Sequence, residues 1–295
     1  MRRNCVTSVP STQCHLSGSA LPYYIPPMRF ALITDVHFGP PGWHEGKLRK
    51  LPQYAEPLVL DFVDRMNRVE RPELVINLGD VIEDDTREAD KRAYAHFIEL
   101  LGDLEAPVLH VAGNHESVNL DDNDLGRLWG HEGPLFYSRD VGGIHFSILR
   151  TEHRRATEVR LPQSQLKWLA EDLRTTTLPC VVLLHHPLGP MDLEGNPWFE
   201  KTPEICFVAE REQARQIIAE SHKVIGVFNG HVHWNHLGVV AGVPYVTLQS
   251  LTENVDEDAP GRPARSLAIV DVSPSSLKVR IEGEHPARYH LGLDA

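Results

Sequence analysis

Apolar residues in this chain fall into short compact runs separated by stretches of helical spacing. Residues 29–34 (RFALIT), 74–78 (LVINL) and 107–111 (PVLHV) are mostly apolar, and each reads as a strand buried on both faces. Between the first two, Leu58, Val59, Phe62, Val63 and Met66 follow helical spacing over 57–68. Tyr94, Phe97, Ile98 and Leu101 do the same over 90–104. Strand, helix, strand, helix, strand predicts a parallel sheet covered by helices, and so the α/β class.

Farther along, residues 135–138 and 144–149 flank Val141-Gly142-Gly143 and predict a hairpin. Leu166, Trp168, Leu169 and Leu173 mark a helix over 162–173, and residues 181–184 read as another buried strand. Residues 188–203, rich in Gly and Pro, read as a long loop. A helix over 210–222 leads to an apolar run, 224–228, expected to be a buried strand. After it, 239–240, 245–248, 267–272 and 277–281 read as an antiparallel series. No internal repeat and no clean boundary interrupt the pattern, so residues 28–295 are expected to form a single domain. Residues 1–27 carry few folding signals, are polar over 4–19, and are expected to be a disordered extension.

Composition narrows the function classes. Hydrophobic residues make up 41% and charged residues 24%, as in an ordinary globular protein. The net charge of −12 argues against nucleic-acid polymers and acidic membranes as partners. No apolar run approaches the roughly 18 residues of a membrane span, and no hydrophobic stretch follows Arg2 and Arg3 to make a secretory signal. The cysteines are Cys5, Cys14, Cys180 and Cys206, with no CxxC pair, so neither a disulfide framework nor a structural zinc site is indicated. Cys180 opens an apolar run and reads as a reduced core thiol, which favours a reducing, cytoplasmic setting.

Candidate chemistry collects where the apolar runs end. Asp35-Val36-His37, Gly79-Asp80, Gly113-Asn114-His115-Glu116, His185-His186-Pro187 and Gly230-His231-Val232-His233 each follow such a run. They supply Asp35, His37, Asp80, Asn114, His185, His231 and His233, all oxygen or nitrogen donors. Mixed imidazole and carboxylate ligation suits Zn, Mn or Fe better than Ca or Mg alone. Seven donors exceed the usual four of one zinc, which indicates two divalent metal ions. Paired ions roughly 3.5–4 Å apart serve phosphoryl and phosphodiester hydrolysis. Asp80, central in the order of motifs, is the natural bridge. Gly230 is expected to let the chain turn so that both following histidines serve one site. Singly, each motif has a simpler reading: an Asp after a strand caps a helix, a Gly-Asp pair makes a turn, and an HxH is two loop histidines. Their coincidence at consecutive strand ends is what points to a site.

The ordered set DxH, GD, GNH[DE], H and GHxH resembles that of the calcineurin-like metallophosphoesterases, from about Arg29 to Ile281. The resemblance implies a four-layer α/β/β/α sandwich with a dinuclear site at the sheet ends. Matched by motif, one ion would be held by Asp35, His37, Asp80 and His233. The other would be held by Asp80, Asn114, His185 and His231, with Asp80 shared. His185 rather than His186 matches the family ligand. His115 matches a residue near the leaving-group oxygen that can act as general acid, and the implied nucleophile is a metal-bound hydroxide attacking phosphorus in line.

The departures select a branch. After its GD motif the chain reads GDVIEDD, without the Arg of the protein Ser/Thr phosphatases. Glu83 stands where purple acid phosphatases carry Tyr, so a ferric purple centre is not expected. The DNA-repair nuclease branch, with its long added domains, is not expected, since the acidic balance of the chain suits DNA poorly. What remains resembles small bacterial-type phosphodiesterases, whose substrates are small phosphate esters: cyclic nucleotides, glycerophosphodiesters or nucleotide diphosphates. The alternatives are a phosphomonoesterase of the same fold and a non-catalytic scaffold. Substrate contacts are expected from loops over the metals: His186, Arg154 within His153-Arg154-Arg155, and His236, with Trp43 and His44 beyond the first motif. Asn196-Pro197-Trp198-Phe199 could stack a base, pack as a lid or close a homo-oligomer.

Overall fold

The computed structural model describes residues 11–15, 24–153, 158–256 and 258–293. The chain runs through β1 (Ser11–His15), β2 (Met28–Ile33), a small hairpin of β3 (Gly42–His44) and β4 (Lys47–Lys50), α1 (Ala55–Arg65), β5 (Leu74–Asn77), α2 (Arg87–Leu101), β6 (Val108–His110), α3 (Glu116–Asn119), α4 (Asp122–Trp129), β7 (Tyr137–Val141) and β8 (Ile144–Ile148). It continues with α5 (Gln163–Thr175), β9 (Cys180–Leu183), α6 (Arg211–Ser221), β10 (Val224–Asn229), β11 (His236–Val240), β12 (Val243–Thr247), β13 (Leu267–Ser273), β14 (Ser276–Glu282) and β15 (Ala287–Gly292).

The strands form two large sheets, ordered β1-β15-β14-β13-β2-β5-β6 and β11-β12-β10-β9-β8-β7. The run in β2 is apolar on successive residues because both faces of its sheet are covered. Phe30 and Leu32 enter the core between the sheets, while Ala31 and Ile33 meet the helices outside. At the centre of the inter-sheet core, Phe30 meets Phe146 and Phe228 edge-on, each at 5.6 Å. Burying each of these rings contributes about 2–3 kcal/mol. Helices α1 and α2 cover the outer face of the first sheet through Phe62, Tyr94 and Phe97. Helices α5 and α6 cover the second through Leu166, Leu169 and Ile218. The expected α/β/β/α layering is therefore present.

Several elements differ from their sequence reading. The C-terminal strands are not one antiparallel series: β11 and β12 belong to the second sheet, with β12 parallel to β10, whereas β13, β14 and β15 complete the first. Strand β15 and the hairpin β3–β4 escaped the hydropathy pattern. One alternates between half-buried and exposed positions and the other is very short. Helix α2 starts at Arg87, where the Thr86 side chain accepts from Ala89 N and caps it. In the stretch expected to be disordered, residues 11–15 lie parallel to β15, and Ile25 is only 2% exposed within the inter-sheet core. Pairing along an edge strand uses backbone groups, which leave no mark in side-chain polarity. Among the described residues no helix is long and apolar enough to cross a membrane.

β2, β5 and β6 run parallel in one sheet, and β9 and β10 run parallel in the other. The loops that follow them meet at one end of the sandwich. Backbone bonds stitch those loops together: Asp35 N to Gly79 O at 2.9 Å, His37 N to Asp80 O at 3.1 Å, and Gly230 N to His185 O at 3.2 Å.

Candidate active site

The five motif loops converge, and their backbones are unusual. Asp35, His37, Asp80, His231 and His233 all have positive φ, between 51° and 70°. Non-glycine residues in this region cost roughly 1–3 kcal/mol each and persist only where the surroundings hold them. Gly230 plays a different part from the one expected. The turn is made by His231 and His233 themselves, with φ of 70° and 58°. A side chain at Gly230 would collide with Thr34 Oγ1 and Asp35 Oδ2, so the glycine serves close approach between the β2 and β10 loops.

Side chains gather in overlapping groups. Asp35, His37 and His233 each offer a donor atom within 4.8 Å of the others, as do Asp35, Asp80 and His185, and His185, His186 and His231. Asp80 also joins His37 and His115 in such a group, which places its carboxylate between the rest. His37 Nε2 lies 3.2 Å from His233 Nε2, His233 Nε2 lies 3.2 Å from Asp35 Oδ1, and His185 Nε2 lies 3.1 Å from Asp80 Oδ2. Donors about 2.0–2.1 Å from one cation sit roughly 3.0–3.4 Å from one another. Asp35 Oδ1, Asn114 Oδ1 and His185 Nε2 are buried without a hydrogen-bond partner among the described residues. Such atoms are costly unless something binds them.

The outer ring nitrogens are held from behind. His37 Nδ1 faces Glu83 at 3.1 Å and His233 Nδ1 faces Glu253 at 2.6 Å. His185 Nδ1 donates to Leu78 O at 2.8 Å, and His231 Nε2 donates to Ile205 O at 3.1 Å. This leaves the opposite nitrogen of each ring turned inward. Imidazoles fixed in this way by a carbonyl or carboxylate are characteristic of metal sites. The donor set therefore fits a pair of divalent cations.

Electrostatics agree. Burial opposes ionisation of Asp35 and Asp80, yet His233 beside the first and His185 beside the second hold both carboxyls well below the usual range. Burial likewise opposes charge on His185 and His233, but Asp80 raises the former, and Asp35 with Glu253 the latter, to about 9. His37 is pushed down to about 4 by burial and by Lys50. The buried carboxylates thus draw positive charge into the centre.

Around this cluster lie residues the sequence did not single out. His115 Nδ1 is 2.7 Å from Asp84 Oδ1, and its Nε2 is 3.1 Å from Lys50 Nζ. Lys50 Nζ also donates to Glu83 Oε2 at 2.6 Å. Glu83 was legible only as a residue that is not Tyr. Asp84 could have been found as the acid next to it in GDVIEDD, but Lys50 and Glu253 carry no local signal. Glu116, quoted within its motif but given no role there, accepts from Asp80 N at 3.2 Å, Val81 N at 2.6 Å and Gly113 N at 2.8 Å. It locks the second and third motif loops together.

The residues expected to touch substrate separate. His186 is buried beside His231, with ring centres 4.1 Å apart, and its Nδ1 is 2.7 Å from Thr151 Oγ1. His236 lies outside the cluster, donating from Nε2 to Pro190 O at 3.0 Å. His153 sits 5.3 Å from the His186 ring, whereas Arg154 and Arg155 lie outside the described residues. Trp43 is 61% exposed at the hairpin. The Asn196–Phe199 segment folds over the cluster. Asn196 Nδ2 donates to Val232 O at 3.1 Å, Phe199 packs 4.6 Å from His231, and Trp198 lies 4.8 Å from His44 and 5.6 Å from His233. A cleft of about 280 Å³ opens beside Trp198, lined also by His44, Glu45 and Lys201.

Known proteins resemble this chain in sequence and in fold. The family model for calcineurin-like phosphoesterases matches residues 28–235. A probable cyclic nucleotide phosphodiesterase of Psychrobacter arcticus is 23% identical over 171 residues, covering 55% of this chain and 57% of that protein. A cAMP/cGMP dual specificity phosphodiesterase of Mycobacterium tuberculosis is 27% identical over 196 residues, covering 62% of this chain and 55% of that protein. The chain thus matches little more than half the length of these curated relatives. A dimetal phosphatase from Danio rerio shares the fold with a TM-score of 0.73 at 18% identity, over 91% of this chain and 99% of that one. With its motif loops gathered at one end of an α/β/β/α sandwich, this chain belongs to the calcineurin-like phosphoesterase family.

Proposed function

We propose that the protein is a dinuclear metal-dependent phosphodiesterase acting on a small anionic ester, with cyclic nucleotides the first substrates to test. The observation that carries this reading is the inward convergence of buried donors at 3.1–3.2 Å, several without any other partner. Asp35, His37, Asp80 and His233 would hold one ion, and Asp80, Asn114, His185 and His231 the other, with Asp80 shared. Mn, Fe or Zn suits these donors. Two such ions supply Lewis-acid charge at the phosphoryl oxygens and activation of water.

The chain's own residues do the rest. Glu83, Glu253 and the carbonyls of Leu78 and Ile205 orient the imidazoles. His115, held by Asp84 through Nδ1, turns Nε2 toward the cluster, 3.9 Å from Asp80 Oδ2, and is the residue through which the leaving oxygen gains its proton. The cleft lined by Trp198 and His44, whose rings pack 4.8 Å apart, offers an aromatic wall to a nucleobase. His186, Arg154 and His236 remain candidates for substrate contact. A reducing, cytoplasmic setting suits the buried free thiols of Cys180 and Cys206.

The test is a panel run on protein loaded separately with Mn, Zn and Fe(II). It comprises 3′,5′- and 2′,3′-cyclic nucleotides, glycerophosphodiesters, nucleoside diphosphate esters, and bis(p-nitrophenyl) phosphate beside its monoester. Turnover of diesters well above monoesters is expected. A monoester preference would convert the reading to a phosphomonoesterase, and no turnover with two ions bound would end it.

A further inference from the structure

Lys50 is a lysine only 3% exposed, at the end of β4. Its backbone bridges to Glu253, while Asn254 N donates to Arg49 O at 2.6 Å and Leu51 N donates to Thr252 O at 3.1 Å. The hairpin is thereby stitched to the segment whose carboxylate supports His233. The side chain also has a prepared path. A Cβ at Gly42 would come within 2.8–2.9 Å of the Lys50 stem, so only glycine in β3 leaves it room.

A buried ammonium needs partners, and it has three N–H groups to place. One goes to Glu83 Oε2 at 2.6 Å and one to His115 Nε2 at 3.1 Å. The Trp198 ring lies 5.0 Å away on another side. Among the described residues no acceptor takes the third N–H. His115 Nδ1 faces the Asp84 carboxylate at 2.7 Å, so Nε2 is the nitrogen turned toward Lys50. The ammonium therefore occupies the approach through which His115 would reach an ester oxygen.

We propose that Lys50 is a further catalytic residue, binding the leaving-group oxygen of the phosphate ester while His115 and Glu83 hold its ammonium in place. This rests on the phosphoesterase reading above. As water's oxygen bonds to phosphorus and the ester P–O bond breaks, the electron pair stays on the leaving oxygen. A proton passes to that oxygen from the Lys50–His115 pair, the attacking water gives its proton to solvent, and the pair regains one from solvent after the alcohol leaves. The benefit is greatest for an alkoxide, such as a nucleoside or glycerol oxygen, and least for a nitrophenolate.

The experiment uses full-length chain loaded with Mn, and diesters that share one fixed group but lose p-nitrophenol, phenol or an alkyl alcohol. Lys50→Gln is expected to lower kcat/KM about tenfold for p-nitrophenol and about a thousandfold for the alkyl alcohol, with Lys50→Arg recovering part of the loss. Metal content should hold, while affinity for inorganic phosphate, followed by 31P NMR, falls about tenfold. If Lys50→Gln does not fold, Gly42→Ala, which displaces the stem while keeping the charge, is expected to give the same graded loss. Equal losses across the leaving groups, or unchanged phosphate affinity, would overturn the assignment of Lys50 alone. A wild-type chain inactive on the whole series would remove the hydrolase reading and this role with it.

Discussion

Asp80 stands where two of the overlapping donor groups meet. Its carboxylate stands among His37, His115, His185 and Asp35, and its position is set by Glu116 through the Asp80 and Val81 amides. Asp80→Ala is expected to lower bound metal from about two ions per chain to fewer than one, measured by elemental analysis; retention of both ions would show that nothing bridges there. Glu116 is built from a different need. It satisfies three backbone N–H groups in a buried turn, so Glu116→Ala should destabilise the protein by roughly 3 kcal/mol or more in urea unfolding. A loss below about 1 kcal/mol would mean that water replaces it. The residues legible in the sequence were those at fixed offsets from strand ends. Lys50 and Glu253 were invisible because their roles come from contacts with residues 33 and 20 positions away.

At the scale of elements, the edge of the second sheet holds a charged network remote from the motif loops. His145 on β8 lies 2.6 Å from Asp140 and 2.9 Å from Asp172, while Ser138 and Ser147 donate to Asp172 at 2.8 and 2.6 Å. Burial disfavours charge on His145, but Asp172 and Asp140 together raise it. A histidine raised in the folded state stabilises fully below its ordinary pKa and loses that contribution as pH rises through the raised value. His145→Gln should therefore lower stability by about 2 kcal/mol near pH 6, and the gap should narrow toward alkaline pH. Thermal melts of both proteins from pH 5.5 to 9 check this, and a gap constant with pH would show that packing, not charge, is at stake. Hydropathy located β8 and α5 but not this link, because a histidine and two serines on strands look the same whether or not an aspartate faces them from a helix.

For the whole molecule, the centre couples metal, protons and folding. His185 and His233, raised to about 9, are expected to carry protons at neutral pH that a cation would displace. Metal binding near pH 7 should release up to about two protons, read by calorimetry in buffers of different ionisation enthalpy. Apparent affinity should strengthen as pH rises toward 9. The stability those imidazoliums lend to chelated protein is full below the ordinary histidine pKa and is lost as pH climbs through about 9. Chelated protein should then lose Tm over that window while loaded protein does not. A Tm gap between the two that stays constant from pH 7 to 9.5 would separate the cluster from folding.

The sequence by itself determined the α/β class, the strands whose apolar runs are buried on both faces, and the candidate donors at their ends. These are local properties, written in hydrophobic period and in residue type at a fixed offset from a strand. The tertiary structure decided which sheet each C-terminal strand joins, since a strand's polarity pattern does not name its neighbour. It also decided that Gly230 makes space instead of a turn, and that Lys50, Glu83 and Asp84 surround His115. Those outcomes arise where separate loops and the β3–β4 hairpin are pressed within hydrogen-bond reach, and no spacing along the chain encodes such a distance.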